Sequence, residues 1–155
     1  MLNGWLKNTT NMETKFNFKS SVCTSREQSE RLLALGLKKD TADMYLQSVL
    51  NDEWSPFVPI AFPYSDRPEE IIARDVVNAI PAWSLHRLWE LTPKVIFTKP
   101  SLYLTMYGDS VVYCAEDNNE EYEKSFSRQI SLYDNIIDCI KWLIKEGYFN
   151  KEYLV

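Results

Sequence analysis

In LYLTMYGDSVVYCA, residues 102–115 of the 155-residue chain, two strand-like runs flank a tight turn. Both runs are rich in the β-branched and aromatic residues that favour strands, and Gly108-Asp109 fits a two-residue type II′ turn. We therefore predict an antiparallel hairpin. Its register puts a mixed set of side chains on one face: Tyr103, Thr105, Tyr107, Ser110, Val112 and Cys114. The other face is apolar, with Leu102, Leu104, Met106, Val111, Tyr113 and Ala115.

The apolar face of this hairpin needs a cover, and the C-terminal part of the chain is suited to supply it. Residues 131–146 carry apolar side chains at helical spacing, while Asp134, Asp138, Lys141 and Lys145 take the outside. Gly147 fits the left-handed position that ends such a helix, with Tyr148 following in a Schellman arrangement. The sequence therefore predicts a long C-terminal helix that lies on the sheet.

Four shorter helices are predicted upstream, over residues 25–35, 41–50, 69–79 and 85–92. Thr24 and Glu27 suit a capping box for the first, Asp40 the N-cap of the second, and Ser84 the N-cap of the last. All seven prolines lie within residues 56–100, so residues 51–68 are predicted to be extended or irregular.

Together these elements predict one α+β domain over residues 21–155, preceded by a loosely ordered segment, residues 1–20. In this domain a short antiparallel sheet with a central hairpin is covered by the long C-terminal helix and by shorter helices. The length of the chain allows one domain with a sizeable core.

Charge and cysteine content exclude several classes of function. The chain has 17 Lys and Arg against 22 Asp and Glu, a net charge of −5, which disfavours binding to nucleic acids and anionic membranes. No apolar run approaches transmembrane length. The three cysteines are odd in number and far apart, which fits neither a disulfide framework nor a metal site and indicates a reducing cytoplasm.

The sequence contains no motif typical of a catalytic or cofactor-binding site. The four glycines serve turns and helix ends, so none is left for a phosphate-binding loop, and the single histidine, His86, excludes multi-histidine metal sites. We therefore predict a protein that is not an enzyme and has no cofactor or metal. One enzymatic alternative stays open: His86 could activate Cys23, Cys114 or Cys139 as a thiolate in a small cysteine-dependent enzyme.

Aromatic residues make up 14% of the chain, a high share. One group of rings lies in the proline-rich segment, where it is a candidate surface for binding another protein: Trp54, Phe57, Phe62 and Tyr64. The competing interpretation is that these rings anchor a long loop to the core. The leading functional hypothesis is a non-enzymatic accessory module that binds another protein.

A second functional hypothesis is DNA binding by a helix-turn-helix over residues 25–48. Thr41, Gln47 and Ser48 of its second helix could hydrogen-bond to bases, and Lys38 and Lys39, just before that helix, would add positive charge. Asp40 and Asp43 would then face phosphates, which weakens the hypothesis. The structural alternative is a pair of short antiparallel helices that pack on each other.

Three segments of the chain carry a resemblance: SREQS at residues 25–29 with its continuation to residue 44, IPAWSL at residues 80–85, and residues 132–148. In these segments the chain resembles short uncharacterised proteins encoded by gut Bacteroidetes and their prophages or mobile elements. The resemblance spans most of the chain after Met12. It carries no catalytic residue, cofactor or activity, and implies only a cytoplasmic bacterial or phage origin.

Overall fold

The computed structural model describes residues 21–48, 54–57, 79–116, 122–128 and 131–155. In these ranges the α-helices are α1 (Arg26–Ala34), α2 (Leu85–Leu91) and α3 (Leu132–Glu146), and the 3₁₀ helices are η1 (Lys39–Thr41) and η2 (Lys151–Tyr153). The strands are β1 (Met44–Ser48), β2 (Trp54–Phe57), β3 (Ile80–Ala82), β4 (Val95–Ile96), β5 (Leu102–Tyr107), β6 (Ser110–Ala115) and β7 (Lys124–Phe126). The predicted α+β class is confirmed.

The predicted hairpin forms the centre of a four-stranded antiparallel sheet with the order β4-β5-β6-β7. Its register is the predicted one, from Leu102 opposite Ala115 to Tyr107 opposite Ser110. Gly108 supplies the positive φ, 60°, that a two-residue turn between twisted strands requires. Period-two alternation therefore separates an inner face from an outer face as expected.

The inner face is covered by α3, as predicted. Tyr113 of β6 and Ile140 of α3 are fully buried, and the Trp142 ring lies 5.8 Å from the rings of both Tyr113 and Phe126. At the C-terminus of α3, Gly147 adopts φ 78° and the Tyr148 amide donates to the Leu143 carbonyl at 2.9 Å, which completes the Schellman motif. With 15 residues, α3 is shorter than a membrane span of about 20, and no other described helix could span one.

Helix α1 docks beside α3 through charged side chains. Arg31 contacts Asp134 at 2.5 Å and Asp138 at 3.0 Å, and Gln28 donates to Asp134 at 2.9 Å. The predicted capping box of Thr24 with Glu27 is wrong by one residue, since Ser25 and Gln28 form it. Thr24 is instead fully buried, with its hydroxyl bonded to Ser29 and accepting from the Trp83 amide.

The predicted helix over residues 41–50 is wrong. Residues 44–48 form β1, the central strand of a second antiparallel sheet with the order β2-β1-β3. Two flanking strands satisfy the backbone of β1 on both sides, which outweighs a weak helical pattern. Pro56 and Pro81 lie in the two edge strands, where a missing amide is tolerated. Asp40 caps nothing here, because it lies within η1.

The extended structure predicted for residues 51–68 is confirmed where the structure describes it, at β2. The rest of that segment, the predicted helix over residues 69–79 except its last residue, and the N-terminal segment 1–20 lie outside the described residues. The predicted short helix after Ser84 is confirmed as α2, with the Ser84 hydroxyl accepting from the Arg87 amide.

We predict that Ile140→Ala lowers the free energy of unfolding by about 2–5 kcal/mol, because it leaves a cavity between α3 and the sheet. Urea denaturation followed by circular dichroism measures this. Lys141→Ala, one residue on and exposed, is the control and should change the value by less than about 0.5 kcal/mol. A loss at Ile140 no larger than at Lys141 would contradict the packing described above.

Candidate functional site

The outer face of the four-stranded sheet is open along β5. Its side chains there are Tyr103, Thr105 and Tyr107, which we call the tyrosine stripe; the two tyrosines are 40% and 59% exposed. Phe97 directly follows the neighbouring strand β4 and is 90% exposed. Large apolar rings with this much exposure are what protein surfaces present at interaction sites.

Hydrogen bonds from the buried side chains of Asn135 and Tyr113 hold the backbone behind the tyrosine stripe. Asn135 of α3, 1% exposed, donates through its amide nitrogen Nδ2 to the Asp109 carbonyl at 2.8 Å, which fixes the β5–β6 turn. The Tyr113 hydroxyl donates to the Pro93 carbonyl, and burial raises the pKa of this phenol, which keeps the donor protonated. The stripe is thus presented by a rigid backbone, which reduces the entropy lost on binding.

At one end of the stripe the surface sinks into two adjoining depressions of about 360 and 300 Å³. Both are lined by Tyr103, Ala115 and Glu116. Pro100 and Ser101 complete the first, and Thr105 and Cys114 the second. A ring and a carboxylate therefore meet in one concave region beside the open strand.

A separate cleft of about 270 Å³ lies where α2, η1 and η2 meet. Its polar groups largely bond to one another: Lys38 donates to the Glu152 carbonyl at 2.8 Å, and Arg87 pairs with Glu90 at 3.0 Å. The Arg87 Nε is buried without a hydrogen-bond partner. The lining holds three carboxylates and two cations, so its electrostatic potential does not favour the binding of an anion.

The residues predicted for DNA binding do not come together on a recognition helix. Lys38 and Thr41 line the cleft just described, Lys39 is exposed in η1, and Gln47 is exposed on β1. The Thr41 hydroxyl is engaged, since it accepts from the Trp83 indole at 3.0 Å and donates to the Lys38 carbonyl. The helix-turn-helix geometry is therefore absent from residues 25–48, where one helix, α1, precedes a 3₁₀ turn and a strand.

The aromatic residues predicted for partner binding are only partly described. Trp54 is half-buried and packs on a small core cluster of Cys23, Leu46 and Ala82. The Arg26 guanidinium lies 5.1 Å from the centre of the Trp54 ring. At this residue the structure agrees with the anchoring interpretation. The side chain of Phe57, and all of Phe62 and Tyr64, lie outside the described residues.

The cysteines and His86 do not form a catalytic pair in the structure. His86 is 80% exposed at its side chain and pairs with Glu90 at 3.2 Å, and none of the three thiols is hydrogen-bonded to it. Burial raises the pKa of Cys139 to about 12, and burial with the nearby Asp43 raises the pKa of Cys23. No group of metal-ligating side chains occurs among the described residues.

The sequence assigns Tyr103 and Tyr107 to one face of the hairpin, but it does not show that their side chains are exposed. Alternation in residues 102–107 assigns them to the mixed face, yet alternation does not distinguish an open tyrosine from one that another element covers. The sequence around Phe97 shows no alternation that would assign its ring to a face of the sheet, because β4 has only two residues. Whether these rings are exposed depends on which other elements pack over them, and the local sequence does not show this.

Comparisons with protein-family models, curated proteins and solved structures found no match to this chain. The resemblance to proteins of gut Bacteroidetes and their mobile elements therefore stays a prediction. Among the surfaces described above, the tyrosine stripe with Phe97 is the one that exposes large rings.

We predict that one thiol per chain reacts with a disulfide reagent in the native protein near neutral pH, and three react in denaturant. Cys114 is half-exposed, whereas Cys23 and Cys139 are buried. With its pKa at about 12, Cys139 holds only about one thiolate in ten thousand at pH 8. The Cys114→Ser variant should leave no fast-reacting thiol. Two equally fast thiols in the native protein would contradict this burial.

Proposed function

We propose that this protein is a non-enzymatic module that binds another protein through the tyrosine stripe and Phe97. The observation that carries the proposal is the exposure of two rings of one sheet, Phe97 directly after β4 at 90% and Tyr107 on the neighbouring strand β5 at 59%. Burying a ring of this size in an interface contributes about 1–3 kcal/mol, and interface hot spots are enriched in aromatic side chains.

The chemistry of the described residues supports a binding role over a catalytic one. The buried thiols have raised pKa values, so they are protonated and poor nucleophiles. His86 is paired with a glutamate on the surface of α2, away from any thiol hydrogen bond. Cys114, the thiol beside the stripe, has no histidine among the residues that line its depression, because the single histidine of the chain is His86 on α2. A surface that presents exposed rings without a Cys-His pair is suited to recognition.

We place this function in the cytoplasm of a bacterium or of a cell that carries its mobile elements. The three cysteines support this, because all of them are free thiols, as is usual in a reducing compartment. The net charge of −5 supports a protein partner over a nucleic acid, since phosphate backbones would be repelled.

The proposal is tested by capture from bacterial lysate with three immobilised proteins: the wild type, a stripe variant and a matched control. The stripe variant carries Phe97→Ser and Tyr107→Ser. The control carries Val22→Ser and Tyr122→Ser, which removes side chains that are 59% and 41% exposed elsewhere. We expect a partner that the wild type and control retain and that the stripe variant recovers at least about tenfold less well.

Thermal unfolding of all three proteins should give similar midpoints, because the replaced side chains are exposed. Recovery of the same proteins at the same level by the stripe variant would contradict the proposal. So would a wild type that retains nothing beyond what the stripe variant retains.

A further inference from the structure

We propose that the concave region at Tyr103 and Glu116 receives an arginine side chain of the partner. This inference rests on the proposed function for its biological meaning, but it concerns a site with its own geometry. The site combines an aromatic ring, 40% exposed, with a carboxylate in two adjoining depressions. That pair of groups recognises a planar cation.

The hairpin brings the two groups to one end of the sheet. Tyr103 lies opposite Cys114, and Glu116 directly follows β6, two residues after Cys114. Tyr103 and Glu116 both line each of the two depressions, so the ring and the carboxylate share one concave region. A guanidinium lies within about 6 Å of a ring centre when it stacks and about 3 Å from a carboxylate when it pairs, so one arginine can contact both groups.

The carboxylate of Glu116 is available for such a cation. It makes no ion pair with any described residue, and it is exposed at the end of β6. The sequence continues with further acids, so residues 116–124 carry five carboxylates against a single lysine. The net negative charge of this stretch of sequence favours a cation over an anion.

Two lysines near the sheet, Lys94 and Lys124, are engaged elsewhere. The Lys94 ammonium donates to the Trp89 and Thr92 carbonyls and lies 4.3 Å from the Trp89 ring. The Lys124 ammonium lies over Phe126 and Trp142, rings of the inner face and of α3. Neither of these two lysines neutralises Glu116 in the structure.

Arginine fits this region better than lysine or a second copy of this chain does. A guanidinium is planar, stacks on a tyrosine ring and gives a carboxylate two parallel hydrogen bonds, whereas an ammonium is a compact and strongly hydrated charge. A second copy would bring its own net charge of −5 towards an acidic region. The remaining walls, among them Pro100, Ser101 and Cys114, are neutral and accommodate the aliphatic stem.

The site is tested with capped arginine amide as the probe, titrated into the isotope-labelled full-length protein and followed by nuclear magnetic resonance. We expect saturable shifts at the backbone amides of Ser101, Tyr103 and residues 114–116, with a dissociation constant on the order of 10 mM. Capped citrulline amide has the same shape without the charge and should bind at least about fivefold more weakly. Capped lysine amide should fall between the two.

Glu116→Gln should weaken the arginine probe at least about fivefold, and Glu146→Gln, on the exposed part of α3, should leave it unchanged. Equal binding of citrulline and arginine, shifts centred on other residues, or an unaltered affinity in Glu116→Gln would overturn the inference.

The two proposals fail separately. If the stripe variant still captures every protein while the arginine probe binds as expected, the proposed function falls and this site stands. If capture depends on the stripe but Glu116→Gln leaves the affinity for the arginine probe unchanged, only the arginine site is contradicted.

Discussion

The packing of α3 against the inner face of the four-stranded sheet is the interaction on which the rest of the structure depends. It buries Tyr113 together with Ile140 and aligns Trp142 between two rings of the sheet. Because strand side chains alternate, committing one face of β5 to this core turns Tyr103 and Tyr107 to the other side. The tyrosine stripe therefore points away from the core because the other face of β5 packs against it.

The same packing gives the stripe its stiffness and its charge environment. Asn135 ties the β5–β6 turn to the first turn of α3, and the Tyr113 hydroxyl ties β6 to the segment after α2. The Lys94 ammonium lies over the Trp89 ring of α2 and the Lys124 ammonium over the Phe126 and Trp142 rings, while Glu116 lines the depressions beside the tyrosine stripe. Along β5 the sheet therefore has one covered face and one open face with a carboxylate at its end, and the open face is the surface of the proposed interaction.

The parts of the fold that are encoded locally were predictable from the sequence. The hairpin follows from alternation around Gly108, and α3 follows from an apolar stripe that ends at Gly147. Strand β1 was not predictable, because its partners Trp54–Phe57 and Ile80–Ala82 lie elsewhere in the chain and outweigh local helical spacing. The site followed the same rule: Trp54 is a half-buried anchor and Tyr107 is open, a difference set by tertiary packing that composition does not contain.

Hydroxyl-radical labelling of the native protein, resolved by residue with mass spectrometry, tests most directly whether the tyrosine stripe and Phe97 are open while the inner face of the sheet is covered. The account predicts that Phe97 and Tyr107 label almost as fast as in the unfolded chain, and that Tyr113, fully buried, labels at least about tenfold more slowly. Tyr103 should fall between these limits. Protection of Tyr103 and Tyr107 as strong as that of Tyr113 would contradict it.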